Sequence, residues 1–272
     1  MSTRLLWRLT GIAALAATVL FVGGFVYAVQ SILNPQGDVE MAAPNDGQIQ
    51  PDPVRDQSRI QILGLGDSLT RGVGDPTGEG YVGRVADFLR GEEEKEVYVW
   101  NYAVSGSRTD QLLELIKAEN SEVRQSVAKA DIVLLTIGGN DLFQLGIGQA
   151  GRNEPESLEL DFEHVANKLP ESVDRLEEIL AELAGLNPET RIIYLGLYHP
   201  FLSFDHDRLG SALIQEWNSR AIQLSNVYPN LTVVPTYDLF QTYLSRYLSE
   251  DHFHPNADGY KRMAERVIQV LQ

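Results

Sequence analysis

The sequence predicts an α/β protein, a three-layer α/β/α sandwich built on a parallel sheet of about five strands. Two observations carry this reading. Short, continuously apolar runs alternate along the chain with longer segments of helical periodicity, and strands apolar on both faces belong to sheets covered on both sides. Several of the apolar runs also end in polar, glycine-containing loops, and open parallel sheets place their sites at the carboxyl ends of their strands. Crossovers between such strands are right-handed by default.

Taken in order, residues 59–66 form the first apolar run, a strand. Tyr81, Val82, Val85, Phe88 and Leu89 recur at helical spacing and stop at Gly91. Residues 97–102 read as the second strand, 110–127 as one or two helices, and 131–137 as the strongest strand. Residues 158–184 are helical with a break expected near Pro170. Residues 191–197 read as strand four, 209–227 as helix and 231–234 as strand five. Residues 256–271 form a closing helix, with Pro255 suited to its first turn. Chemistry should then sit just after Leu65, Tyr102, Ile137 and Leu197.

Ahead of this domain lies a different composition. Residues 9–29 are an apolar run of 21 residues, enough for a helix at 1.5 Å per residue to cross the ~30 Å hydrocarbon core of a bilayer. Arg4 and Arg8 precede it, and Asp38, Glu40 and Asp46 follow it. The positive-inside rule places the N-terminus in the cytoplasm and the body outside. A cleaved signal peptide is the rival reading, but Tyr27-Ala28-Val29-Gln30-Ser31 is a poor cleavage site. Residues 1–33 therefore read as cytoplasmic stub and signal-anchor helix, 34–57 as a flexible linker rich in Pro, Gly, Asn, Asp and Gln, and 58–272 as the folded domain.

Beyond residue 30 the chain carries 20 basic against 38 acidic residues, so charge draws it neither to nucleic acid nor to anionic lipid head groups. It has no cysteine, which excludes disulfides, thiolate metal sites, a cysteine nucleophile and a lipid-modified N-terminal cysteine.

The strand-end loops carry the chemistry. They are Gly64-Leu65-Gly66-Asp67-Ser68-Leu69-Thr70, then 101–106 with Ser105-Gly106, then Gly138-Gly139-Asn140-Asp141. Near the C-terminus comes Asp251-His252-Phe253-His254-Pro255. A serine is a weak nucleophile unless a base takes its proton, and that base needs a carboxylate on its far ring nitrogen. Asp251 stands three residues before His254, a spacing that lets it reach Nδ1 in a tight turn while Nε2 faces outward. Ser68, His254 and Asp251 are thus the candidate catalytic residues. Backbone N–H groups of Ser68 and Gly106 and the side-chain amide of Asn140 are candidate oxyanion donors, each worth roughly 3–4 kcal/mol.

Plainer readings stand beside these. Ser68 could be a helix N-cap, Asn140 a turn residue, and Asp67 and Asp141 structural ties to backbone amides. Residues 66–74 lack the Gly-Lys-Ser/Thr ending of a phosphate cradle, and Asp251, His252 and His254 have no clear further metal ligand elsewhere. His164 and His206 read as solvated. Phe143 and Leu145 after the Asn140 loop, His199 and Phe201 after strand four, and Phe253 are candidate pocket residues.

These blocks resemble those of the GDSL, or SGNH, hydrolase superfamily. Gly66-Asp67-Ser68-Leu69 matches its first block, Gly106 its glycine block, 138–141 its Gly-x-Asn-Asp block and 251–255 its Asp-x-x-His-Pro block. All four occur in family order over about residues 60–272. The resemblance implies a flavodoxin-like α/β/α fold and an esterase, lipase or thioesterase that needs no metal or organic cofactor. The substrate expected is a small-molecule, lipid or cell-envelope acyl ester. A non-catalytic glycan- or lipid-binding domain on the same fold is the alternative.

Overall fold

The computed structural model describes residue 18 and residues 59–92, 95–146 and 161–272. The linker and, apart from Thr18, the expected anchor at residues 9–29 lie outside the described residues. Among the described residues no helix is long and apolar enough to cross a membrane.

Five parallel strands form the sheet: β1 (Arg59–Gly66), β2 (Glu96–Asn101), β3 (Ile132–Thr136), β4 (Arg191–Leu195) and β5 (Leu231–Val234), in the order β2-β1-β3-β4-β5. The chain leaves β1 for β2 on one side and crosses back to β3 on the other. The carboxyl ends of β1 and β3 therefore flank the topological switch point, the place where doubly wound sheets open a crevice.

Side chains alternate along each strand, and the alternation divides the core in two. Leu63, Leu65, Val133, Leu135 and Tyr194 face one layer of helices: α3 (Thr109–Lys117), α4 (Glu122–Val127), α6 (Phe162–Leu186) and α7 (Leu209–Ser225). Ile62, Leu134, Ile193 and Leu195 face the other: α2 (Gly80–Glu92), α8 (Tyr237–Tyr247) and α9 (Ala257–Leu271). Two short helices complete the chain, α1 (Ser68–Arg71) after β1 and α5 (Gly139–Gly146) after β3.

Several expectations need correction. No break occurs at Pro170. It sits exposed inside α6, while Leu169 and Val173 beside it are buried, so packing of the apolar face carries the helix through the missing hydrogen bond. Pro255 does not open the closing helix. It precedes the N-cap Asn256, whose side chain accepts from Gly259 N at 3.0 Å, and it bridges to Leu248. Helices α1, α5 and α8 were not expected. The first two are short, and α8 is kinked at Tyr243, which blurs its periodicity.

Two strand-end turns depend on glycine. Gly66 has φ +110°, and a Cβ there would lie 1.7 Å from Thr136 O. Gly138 has φ +109°, and a Cβ would meet Trp217 Cζ2 at 2.1 Å. Trp217 cannot move aside easily, because its indole N–H donates to Tyr194 Oη at 2.7 Å and that hydroxyl donates to Ile137 O at 3.0 Å. Gly138→Ala is therefore expected to lower unfolding free energy by about 2 kcal/mol or more. Gly185→Ala, exposed in α6 with open space around it, should be neutral or stabilising. Denaturant titration of both variants checks this; equal stabilities would contradict it.

Candidate active site

Ser68 owes its place to the turn that ends β1. Gly66 lets the chain turn sharply, and Asp67 N–H donates to Thr136 O at 3.1 Å. Asp67, not Ser68, is the N-cap of α1; its Oδ1 accepts from Leu69 N at 3.1 Å. Thr70 N–H is satisfied by Thr136 Oγ1 at 3.1 Å. The first N–H groups of a helix have no intrahelical acceptor, and with Leu69 and Thr70 supplied by side chains, that of Ser68 heads the turn.

The chain below it is directional. The Thr136 hydroxyl gives its one proton to Asp67 Oδ1 at 2.7 Å. Thr70 therefore donates to Thr136 (2.8 Å) and Tyr81 donates to Thr70 (2.7 Å). Asp67 Oδ2 is buried without a partner. Burial pushes the Asp67 carboxyl up to about 7, against the opposing hydrogen bonds from Thr136 and Leu69.

The imidazole comes from the other end of the domain. Between α8 and α9 the chain folds into a tight turn in which Ser249 N donates to His254 O at 2.8 Å and His252 takes a left-handed φ of 55°. Asp251 organises the turn. Its Oδ1 accepts from Ser249 Oγ (2.7 Å), Phe253 N (2.9 Å) and His254 N (2.9 Å), and its Oδ2 lies 2.6 Å from His254 Nδ1. Partial burial raises the Asp251 carboxyl, but the bonds from His254, Ser249 and the two amides outweigh it and hold the group far below the ordinary carboxylate range. His254 Nε2 is 2.8 Å from Ser68 Oγ. His252, between Asp251 and His254 in sequence, is exposed.

The loops after β2 and β3 meet beside Ser68. Asn140 Nδ2 donates to Ser107 O at 2.9 Å, and Asp141 accepts from Thr109 N (3.0 Å) and Thr109 Oγ1 (2.5 Å). Burial raises the Asp141 carboxyl, opposed by the Thr109 bonds and by Arg175. Gly106, at φ +82° in an exposed turn, lies in the loop so tied.

Of the candidate pocket residues, Phe143, Phe201 and Phe253 form a cluster, with ring centroids 5.4–5.9 Å apart, and Phe253 packs edge-on against the His254 ring at 4.9 Å. His199 packs into the core. It is buried behind Phe143 with Nε2 3.1 Å from Asp205 Oδ2, and desolvation lowers its pKa despite that partner. The side chain of Leu145 lies outside the described residues. His164 and His206 are exposed. Among the described residues no cluster of three His, Asp or Glu side chains is arranged to hold a metal.

Two supporting residues were missed from sequence. Ser249 holds Asp251, and a serine two residues before an aspartate in a turn is a recognisable local signal. Tyr198 donates to Phe253 O at 2.6 Å, a contact across 55 residues that no local pattern announces.

A hydroxyl, an imidazole and a carboxylate in line at the carboxyl edge of a doubly wound sheet define a class of α/β hydrolytic sites. Residues 65–262 match the GDSL-like Lipase/Acylhydrolase family, and the chain belongs to it. It is thus a hydrolase of ester bonds. It is 36% identical over 233 residues to the uncharacterized protein YpmR of Bacillus subtilis, covering 84% of this chain and 88% of that one. It is 32% identical over 212 residues to the spore germination lipase LipC of Bacillus licheniformis, covering 76% and 94%. The crystal structure of the lipase Lip_vut3 from a goat rumen metagenome superposes with a TM-score of 0.65 at 28% identity, over 77% of this chain and 96% of that one.

Asp67 supplies a pH signature. Its folded value lies above the ordinary carboxylate value of 3.8, so its contribution to stability is fully present below that pH and is lost as pH rises through about 7. Wild type should lose stability relative to Asp67→Asn between pH 4 and 7, by on the order of 4 kcal/mol at most. Carboxylates with lowered values, such as Asp251, act at lower pH and cancel in this difference. Parallel wild-type and variant curves from pH-dependent denaturant unfolding would contradict the assignment.

Proposed function

We propose that the protein is a serine acylhydrolase that cleaves carboxylic esters or thioesters through an acyl-enzyme on Ser68. The observation that carries this is the unbroken hydrogen-bond line from Ser68 Oγ through His254 to Asp251. A carboxylate on Nδ1 fixes the tautomer with its proton there, which leaves the Nε2 lone pair facing the serine hydroxyl.

In the first half-reaction Ser68 Oγ attacks the acyl carbonyl as His254 Nε2 takes its proton. Asp251 stabilises the imidazolium so formed. The tetrahedral oxyanion is held by the N–H groups of Ser68 and Gly106 and by the Asn140 amide, which its bond to Ser107 O keeps in position. His254 then protonates the leaving alcohol or thiol as the carbon–oxygen or carbon–sulfur bond breaks. Water, deprotonated by the same base, releases the acid from Ser68.

The substrate proposed is an acyl ester of lipid or cell envelope. The lipase names of two relatives support this, as does the N-terminal sequence, read as a single-pass anchor over residues 9–29 that holds the domain outside the cytoplasm.

On p-nitrophenyl acyl esters, Ser68→Ala should lower kcat/KM by at least about 10³-fold, and His254→Ala nearly as much, because members of such a unit are not additive. Asn140→Ala should lower kcat about 10²–10³-fold. Full turnover in Ser68→Ala overturns the proposal. For the anchor, the expected result is a membrane-fraction protein that retains residues 1–30; a mature chain beginning near Ser31 contradicts it.

A further inference from the structure

Two loops carry the proposed oxyanion donors Gly106 and Asn140, and two adjacent ties join them. Asn140 Nδ2 donates to Ser107 O at 2.9 Å, and the next residue, Asp141, accepts from Thr109 N at 3.0 Å and from Thr109 Oγ1 at 2.5 Å. Gly106 precedes Ser107, the anchor of the first tie. The second tie does not end at Asp141. Arg175, on α6, donates from Nε to Thr109 Oγ1 at 2.9 Å, and its Nη2 lies 3.8 Å from Asp141 Oδ1. We propose that Arg175 is a positioning residue of the oxyanion hole, which through Thr109 and Asp141 fixes the Gly106 loop against Asn140. The inference rests on the acylhydrolase reading above and deepens it with a residue from a helix outside the four motif loops.

Three features carry it. The first is direction. A guanidinium only donates, so Thr109 Oγ1 accepts from Arg175 and gives its single proton to Asp141 Oδ1. The run from Arg175 through Thr109 to Asp141 has one polarity, and hydrogen bonds in such a run strengthen one another.

The second is that the guanidinium is itself held. It is mostly buried, and its other two nitrogens are occupied, Nη1 by Glu171 Oε1 at 2.8 Å and Nη2 by Ser172 Oγ at 3.0 Å. A planar fork engaged at all three nitrogens has one orientation, and a lysine cannot reproduce it.

The third is charge. The Asp141 side chain is 1% exposed; burial raises its carboxyl, while the Thr109 bonds and the Arg175 charge lower it. Each carboxylate oxygen already faces a Thr109 donor, so a proton on either one displaces part of the tie. Arg175 favours the ionised form that makes the tie. Arg108 and Asp110 beside the start of α3, Asp67 in the turn after β1 and Tyr194 on β4 also interact electrostatically with Asp141.

The oxyanion develops only on the way to the transition state, and its donors work only when aimed to within about 0.5 Å. Loosening the tie should therefore lower kcat and leave KM nearly unchanged.

The test measures kcat and KM on p-nitrophenyl butyrate for the full-length chain in detergent. Arg175→Met should lower kcat about tenfold near neutral pH with KM within about twofold, the effect of a small displacement of the donors. Without the guanidinium Asp141 takes its proton at higher pH, so kcat relative to wild type should fall about threefold further between about pH 8 and about pH 5.5. His254 and Asp67 titrate in both proteins and cancel in that ratio. Arg175→Lys keeps the charge without the Nε–H and should flatten the ratio without restoring full kcat. Lys117→Met removes a different ion pair between α3 and α6, that with Glu178, and should leave kcat unchanged, which separates positioning from helix docking. The proposal is overturned if folded Arg175→Met keeps kcat within about twofold of wild type, if its deficit does not grow as pH falls, or if Lys117→Met loses as much. Should Arg175→Met not fold, Thr109→Val decides: it removes the relaying hydroxyl and should show the same loss of kcat, and an unchanged kcat overturns the proposal. A wild type that cleaves no ester and takes no fluorophosphonate on Ser68 overturns the acylhydrolase reading itself, a result distinct from a failure at Arg175.

Discussion

The 2.8 Å approach of His254 Nε2 to Ser68 Oγ joins residues 186 apart in sequence, and most of the architecture serves to hold it. Ser68 follows the strand second from the sheet edge, while His254 sits in the turn before the last helix. These meet because α9 packs against α2 and α8 on the face where α1 emerges. Local ties complete the approach. Tyr260 of α9 donates to Val73 O at 2.7 Å, just beyond α1. Gly74 lets the two loops close, since a Cβ there would stand 2.8 Å from His254 Cβ and 2.6 Å from Pro255 O. The contact is thus a tertiary property, absent from any fragment that lacks either end of the domain.

Electrostatics around this contact divide two aspartates by environment. Asp251, near the surface, accepts four hydrogen bonds and stays charged over the whole physiological range. Asp67 adjoins the serine but is sealed in the core with one oxygen unpartnered, and burial moves it to about 7. Its role is mechanical. It caps α1, receives the Thr136 hydroxyl and so ties the ends of β1 and β3 across the switch point. Asp141 does comparable work between the loops after β2 and β3. Two structural carboxylates thus brace the crevice, while a third holds the His254 ring through Nδ1.

Much of this was legible in the sequence because the signals are local. Five apolar runs located five strands within a residue or two, and their continuous hydrophobicity indicated a doubly covered sheet. The Asp251-to-His254 spacing is a local turn, and the strand-end rule located the loops that carry Ser68, Gly106 and Asn140. What stayed hidden depends on packing across the chain. Pro170 reads as a breaker, yet buried Leu169 and Val173 carry the helix past it. His199 follows a strand as a pocket residue would, but Asp205 draws it into the core. The kinked α8 has too irregular an apolar face to be read by periodicity.

The nucleophile–base pairing can be read chemically by treating the intact protein with a fluorophosphonate and locating the adduct by mass spectrometry. The expected result is one adduct per chain, on Ser68, formed far more slowly when His254 is replaced by alanine. Labelling at another serine, or labelling of Ser68 at an unchanged rate without His254, would show that the hydroxyl and the imidazole do not act together.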